Sequence, residues 1–363
     1  MTAAAVVRIP VIYRPRSAVF WVYVAALVLG AMVLLAQQGA AIRETLDANL
    51  MLTPLWAGFV AFMVWLMTRF DPFRAMRPYP QALVAGTAIG ATAAVAMSML
   101  GNDALGRLWL LVLPGDVLAQ WQSALTAPLI EEAAKVLCAM VVLVLGAGLF
   151  TRISHALLIG MFTGFGFDLS EDLSYATRNA ITNLDSDVAG AGQQLALRIF
   201  TAMPSHWSYT SLTAVGLFIL SPWFARNPQW APGRRVTVGT ALLISGPLLH
   251  FMWNSPLPEG DLAGLLLLGK LFLGLTLYVT IVLWLLRDER RWVVSGVDDG
   301  RRIGWLADID PRILASLPTR KSRRALQRAA RRSGGRSGAD GVAAGQRNAL
   351  DRIQTQRVFG PST

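Results

Sequence analysis

The stretch APLIEEAAKVLCAMVVLVLG, residues 127–146, holds two adjacent glutamates and a lysine in a run otherwise apolar enough to sit in a bilayer. Each charge there costs ~2.5–3.5 kcal/mol on insertion scales, so the three together need a reason to be present. Composition agrees with a membrane setting. Of 363 residues 54% are hydrophobic and only 15% charged, with a mean hydropathy of +0.47. A soluble domain carries about 25% charge. The single cysteine, Cys138, excludes an intramolecular disulfide framework and reads as a packed core thiol.

Working outward, apolar runs of spanning length recur at 19–37, 51–67, 82–100, 125–149, 154–176, 195–220, 236–255 and 262–286. Each is near the ~17–25 residues that cross ~30 Å of hydrocarbon. The segment 101–122 is too short to cross and reads as interfacial or re-entrant. Basic residues alternate with the crossings. Arg8, Arg14 and Arg16 precede the first run; Arg69, Arg74 and Arg77 follow the second; Arg152 follows the fourth. Arg226, Arg234 and Arg235 lie between the sixth and seventh, and Arg287, Arg290 and Arg291 follow the eighth. The other connections carry Glu44, Asp47, Asp103, Asp185, Asp187, Glu259 and Asp261. The positive-inside rule then gives about eight helices with both termini cytoplasmic. The first run lacks a small-residue cleavage site and reads as an uncleaved anchor.

The expected fold is therefore all-α and polytopic. Residues 1–18 form a cytoplasmic N-terminal segment, 19–123 the first three transmembrane helices with the interfacial segment, 124–287 a core of five helices, and 288–363 a basic cytoplasmic tail. The net charge of +11 is concentrated in that tail. Within it, RKSRRALQRAARR (320–332) could lie as an amphipathic helix on anionic lipid, with nucleic acid the less favoured partner. SGGRSGADGVAAGQR (333–347) is too poor in apolar residues to form a core and reads as disordered.

Polar residues that the spans do not explain fall in the second half of the chain. They are Glu131, Glu132 and Lys135 on the fourth span and Asp168, Glu171 and Asp172 on the fifth. Arg198 and His206 lie on the sixth, His250 and Asn254 on the seventh, and Lys270 on the eighth. Counting at 1.5 Å per residue, Glu131 lies ~9 Å in from outside and Glu171 ~26 Å up from inside. His206 is about eleven residues down its span and His250 about fourteen up. All four reach the outer half or the midplane, so four helices converge on one layer. Glu131 and Lys135 share a helix face, and such a pair could merely neutralise itself; Glu132 has no such local partner. Phe167 and Glu171 share a face, as do His250 and Asn254. Gly160 and Gly164, with Gly166 beyond, let another helix approach closely. Arg198 reads as an outer-interface cation that snorkels, Lys270 as pairing with a neighbouring span, and His155 lies far from the layer.

Two carboxylates, two histidines and an amide are suited to activating water. A carboxylate in low dielectric becomes a usable general base near neutral pH. Histidines with a carboxylate could instead hold Zn²⁺, and an Asn amide could donate to an oxyanion. Neither G-x-S-x-G nor H-E-x-x-H occurs, so serine hydrolase and zincin chemistry are not signalled. The same buried Glu, His and Lys would also suit an ion- or proton-coupled transporter, but no inverted repeat is evident.

The motifs resemble a known family. EEAAK (131–135), GMFTGFGFDLSEDLSYA (160–176) with Phe167 and Glu171, RIFTAMPSHWSYTSLTAVGL (198–217) centred on His206, and LLHFMWNS (248–255) follow in the order of the PrsW-type intramembrane proteases. These are relatives of the CAAX-prenyl endopeptidases and bacteriocin-processing enzymes. The CAAX branch has His where Glu171 stands, which favours the PrsW side. The resemblance implies a plasma-membrane endopeptidase that cleaves membrane-anchored proteins near the extracytoplasmic face, an anti-sigma factor being the family's best-known target. It implies Glu131 and Glu132 as activating carboxylates, with His250 and Asn254 opposite and Glu171 and His206 completing the site. If the site holds a metal, His206, His250 and Glu171 would be its ligands; metal and glutamate mechanisms both stay open.

Overall fold

A computed structural model describes residues 11–224 and 230–359; Arg8 and Arg226 of the charge pattern lie outside them. The described chain is all-helical and contains no strand. In order, the helices are α1 (Ala18–Glu44), α2 (Leu46–Met51), α3 (Thr53–Thr68), α4 (Pro80–Ile89), α5 (Val95–Trp109), α6 (Gly115–Leu145), α7 (Ile153–Thr182), α8 (Asp187–Thr201), α9 (His206–Leu220), α10 (Pro232–Asn254), α11 (Leu262–Ile303), α12 (Pro311–Ser316) and α13 (Arg320–Phe359). A π-helical turn, Gly90–Ala94, joins α4 to α5 into one rod, Pro80–Trp109.

Five described helices are long and apolar enough to cross a membrane: α1, the α4–α5 rod, α7, α10 and α11. The other three expected spans take different forms. Helix α3 is apolar but has only 16 residues. Helix α6 has the length, 31 residues, but carries Glu131, Glu132 and Lys135 in its apolar part. The run 195–220 is not one helix, because it breaks at 202–205, around the cis Met203–Pro204 bond, into α8 and α9. The segment 101–122 is continuous with its neighbours. It is the end of α5 and the start of α6, joined through 110–114.

The helices fall into two compact units. The first comprises residues 1–68, 78–151 and 155–279. Its centre is α7, whose most apolar window is 89% buried, against 11% for α1. Trp21, Leu29, Met32 and Leu35 of α1 point outward, as lipid-facing side chains do. Glycines allow α7 its central place. A Cβ at Gly90 would lie 2.0 Å from the Thr163 carbonyl oxygen, and one at Gly166 2.0 Å from that of Thr87. One at Gly160 would meet Ser211 Cα at 2.8 Å, and one at Gly164 the His206 carbonyl oxygen at 2.4 Å. The first pair sets α7 against the α4–α5 rod and the second sets it against α9.

The second unit comprises residues 69–77, 152–154 and 280–363. It corrects the expectation of a disordered tail. Val293, Val297, Leu306, Leu314, Leu317, Ala349, Leu350 and Ile353 bury a small core with Phe73. Helix α13 folds back at Gly334 and Gly335, the latter at φ 63°, where a glycine bears no Cβ penalty. The two halves are tied by Gln327 donating to Gln346 at 2.7 Å. Arg152 is buried beside Glu289, bonds Gln354 and lies 4.0 Å over the Trp292 ring. Local composition missed this unit because its apolar core residues are spread thinly from Val293 to Ile353 among charged ones, with Phe73 joining from far away in sequence.

Candidate active site

The site lies in the first unit. Helix α6 supplies Glu131, Glu132 and Lys135 one turn beyond Pro128, an interior proline of the kind membrane helices tolerate. Helix α9 begins at His206, and its first turn is capped from outside. Asp168 Oδ2 of α7 accepts from Trp207 N at 3.1 Å and from Ser205 Oγ at 3.0 Å. That cap replaces the missing intrahelical partners and fixes where His206 starts. His250 and Asn254 stand one turn apart at the end of α10. That end is closed by Lys270 of α11, which donates to Ser255 and, at 3.3 Å, to the Trp253 carbonyl. Lys270 thus pairs with the neighbouring span by capping its end.

Glu131, Glu132, Lys135, His206 and His250 are all buried. The Lys135 ammonium lies 2.7 Å from Glu132 Oε1, 2.7 Å from His206 Nδ1 and 3.4 Å from Glu131 Oε2. Glu132, expected to lack a local partner, is therefore closer to Lys135 than Glu131 is. The centroid of the Phe167 ring lies 4.1 Å from the same ammonium. His250 Nδ1 lies 3.1 Å from the same Glu132 Oε1, and Thr210 donates to Glu132 Oε2 at 3.0 Å. Asn102 of α5 donates to Glu131 Oε1 at 3.0 Å. The two imidazoles stand edge to face, their centroids 4.8 Å apart, and Tyr209 stacks on His250 at 5.5 Å.

Glu171 sits on the far edge of His206, with Oε2 3.0 Å from Nε2. The same oxygen accepts from Arg198 at 2.6 Å, and Arg198 also bonds Asp172. Arg198 is therefore not a lipid-interface cation; it locks two α7 carboxylates to α8. His155 is packed among Tyr79 and Phe150, away from the site. A narrow cleft reaches His206 between the apolar Phe59, Met63 and Trp253 and the polar Asp168 and Arg198.

Glu131, His206 and His250 each present one ligand-type atom, and these atoms lie within 4.8 Å of one another. Glu131 Oε2 is 3.9 Å from both His206 Nδ1 and His250 Nε2. This geometry puts Glu131 in the candidate donor set in place of Glu171. The donor chemistry fits a metal. Each histidine hands its other nitrogen to a carboxylate, His206 to Glu171 and His250 to Glu132, which fixes the tautomer whose lone pair faces the centre. Tetrahedral zinc with bonds of ~2.0–2.1 Å needs ligand atoms about 3.3 Å apart, so the three donors would close inward by under an ångström. Asn254 donates to His250 Nε2 at 3.2 Å from the position opposite.

Asn102 and Thr210 escaped the sequence reading for different reasons. Asn102 lies just past the run 82–100, beside Asp103, so a search confined to the spans passes over it. A hydroxyl such as that of Thr210 leaves no mark on hydropathy.

Residues 78–286, more than half of the chain, match the PrsW family, described as intramembrane metalloproteases, and the chain belongs to that family. No curated protein and no solved structure gives a significant match.

Proposed function

We propose, from that family membership and the geometry above, that this protein is a multi-pass plasma-membrane endopeptidase with cytoplasmic termini. It hydrolyses a peptide bond of a membrane-anchored protein, single-pass or of the anti-sigma kind, near the extracytoplasmic face. The observation that carries the reading is the meeting of Glu131, His206 and His250, from three helices, with ligand atoms within 4.8 Å in a buried pocket. Isolated intramembrane charges would not gather this way, because each is costly unless it serves a site.

Glu131, His206 and His250 would hold the metal, zinc being the best match to one carboxylate and two imidazoles. Bound there, the metal would polarise the scissile carbonyl and make a bound water acidic enough to attack near neutral pH. The chain's own groups do the rest. Glu132 and Glu171 hold the two imidazoles in orientation. Asn102 fixes the carboxylate of Glu131. The Asn254 amide is placed to donate to an oxygen that gains negative charge. The cleft between Phe59, Met63 and Trp253 offers an extended peptide an apolar wall on its way to His206.

The second unit adds an anionic-lipid contact to the proposal. Arg320, Arg324, Arg328, Arg331 and Arg332 of α13 are exposed, and each such charge near an anionic bilayer contributes ~1 kcal/mol.

The test is cleavage of a single-pass reporter by purified protein in proteoliposomes. Glu131→Ala and His250→Ala should each abolish cleavage while the protein still accumulates in the membrane. Cleavage that survives both changes would remove the assignment.

A further inference from the structure

The cation at the centre of the cluster is the side chain of Lys135. An ammonium has three N–H donors, and here three acceptors surround it: Glu132 Oε1 at 2.7 Å, His206 Nδ1 at 2.7 Å and Glu131 Oε2 at 3.4 Å. Two of these three, His206 Nδ1 and Glu131 Oε2, are also atoms that a metal would need. The lysine is fully buried, and its ammonium lies 4.1 Å from the centroid of the Phe167 ring. The imidazole allows no sharing. With Nε2 committed to Glu171, His206 Nδ1 has one lone pair, and it can accept one ammonium proton or bind one metal ion. On the other imidazole, the lone pair of His250 Nε2 is likewise taken, by the Asn254 amide at 3.2 Å.

We infer that Lys135 is a built-in competitor for the metal position. Its ammonium keeps the centre closed, and a divalent cation loads only when Lys135 leaves His206 Nδ1. The cap also protects the apo site: without a cation, two glutamates would face each other in a low-dielectric pocket. Lys135 is thus a regulator of loading that acts through His206 rather than a group that touches substrate. The inference rests on the metal reading above. Its test measures metal rather than proteolysis, so it can fail while the peptidase assignment stands.

Full-length wild type and Lys135→Met, purified in detergent, would be titrated with Zn²⁺ and their metal content measured by elemental analysis after dialysis. Methionine keeps much of the side-chain volume and removes the charge and the donors. Lys135→Met should bind Zn²⁺ at least about tenfold more tightly than wild type. The gain should vanish when Lys135→Met/His206→Ala is compared with His206→Ala alone, because the freed lone pair is the cause; a gain from mere loss of charge or from repacking would persist in that background. Equal or weaker binding by Lys135→Met, or a gain that persists without His206, would overturn the inference. Wild type supplies a second reading if the variant does not fold. It should leave dialysis with well under one zinc per chain, and retention of a full equivalent would refute the competition.

Discussion

Replacing Gly164 with alanine tests how the fold positions His206. A Cβ at residue 164 would lie 2.4 Å from the His206 carbonyl oxygen, 2.7 Å from its carbon and 2.8 Å from Trp207 Cα. All three are backbone atoms, so no side-chain rotation relieves the clash. Restoring an ordinary 3.4 Å contact requires the start of α9 to retreat from α7 by about 1 Å. His206 moves with it, and its bond to Glu171 at 3.0 Å stretches past useful length. A misplacement of this size costs on the order of 10²-fold in rate, and overpacking costs a further ~1–3 kcal/mol in stability. The assay is reporter cleavage in proteoliposomes, normalised to folded enzyme. Gly58→Ala is the control, since nothing lies within 4 Å of a Cβ there, and it should match wild type. Cleavage by Gly164→Ala within about threefold of wild type would refute the argument that this approach sets the site.

Asn102→Ala removes the donor to Glu131; at ~1.5–3 kcal/mol for a bond to a charged group, kcat should fall about 10- to 100-fold while KM changes little, as separate determination of the two constants would show. Dialysis against a chelator should abolish cleavage and added Zn²⁺ should restore it, whereas full activity after proven metal removal would leave the glutamates as sole activators of water. Arg152→Ala strands the buried Glu289 carboxylate and should destabilise the second unit by ~3–5 kcal/mol, read as faster limited proteolysis within 280–363.

Much of the site was legible in the chain. Lys and Arg are rare in the apolar runs, so Glu131, Glu171, His206 and His250 stood out, and their cost in hydrocarbon predicted that they would meet. The glycines at 160 and 164 announced a close helix contact, and α9 fills it. The order of the tail was not legible because its few apolar residues, Val293 to Ile353, are scattered among charges and meet only when α11, α12 and α13 pack together. The long apolar run at 195–220 concealed a break between α8 and α9, since hydropathy is blind to where a helix stops.

Hydropathy and local charge, which depend only on neighbours in sequence, determined that this is a helical membrane protein with a polar centre in its later helices. Which groups touch was decided by tertiary structure. Helical periodicity places Glu131, Glu132 and Lys135 near one another but does not choose between partners. That choice is made by the register of α7, α9 and α10, which puts His206 Nδ1 within 2.7 Å of Lys135 and turns Nε2 towards Glu171. Register is set where backbones approach at glycines and where Asp168 caps α9, and no run of residues read alone carries that distance.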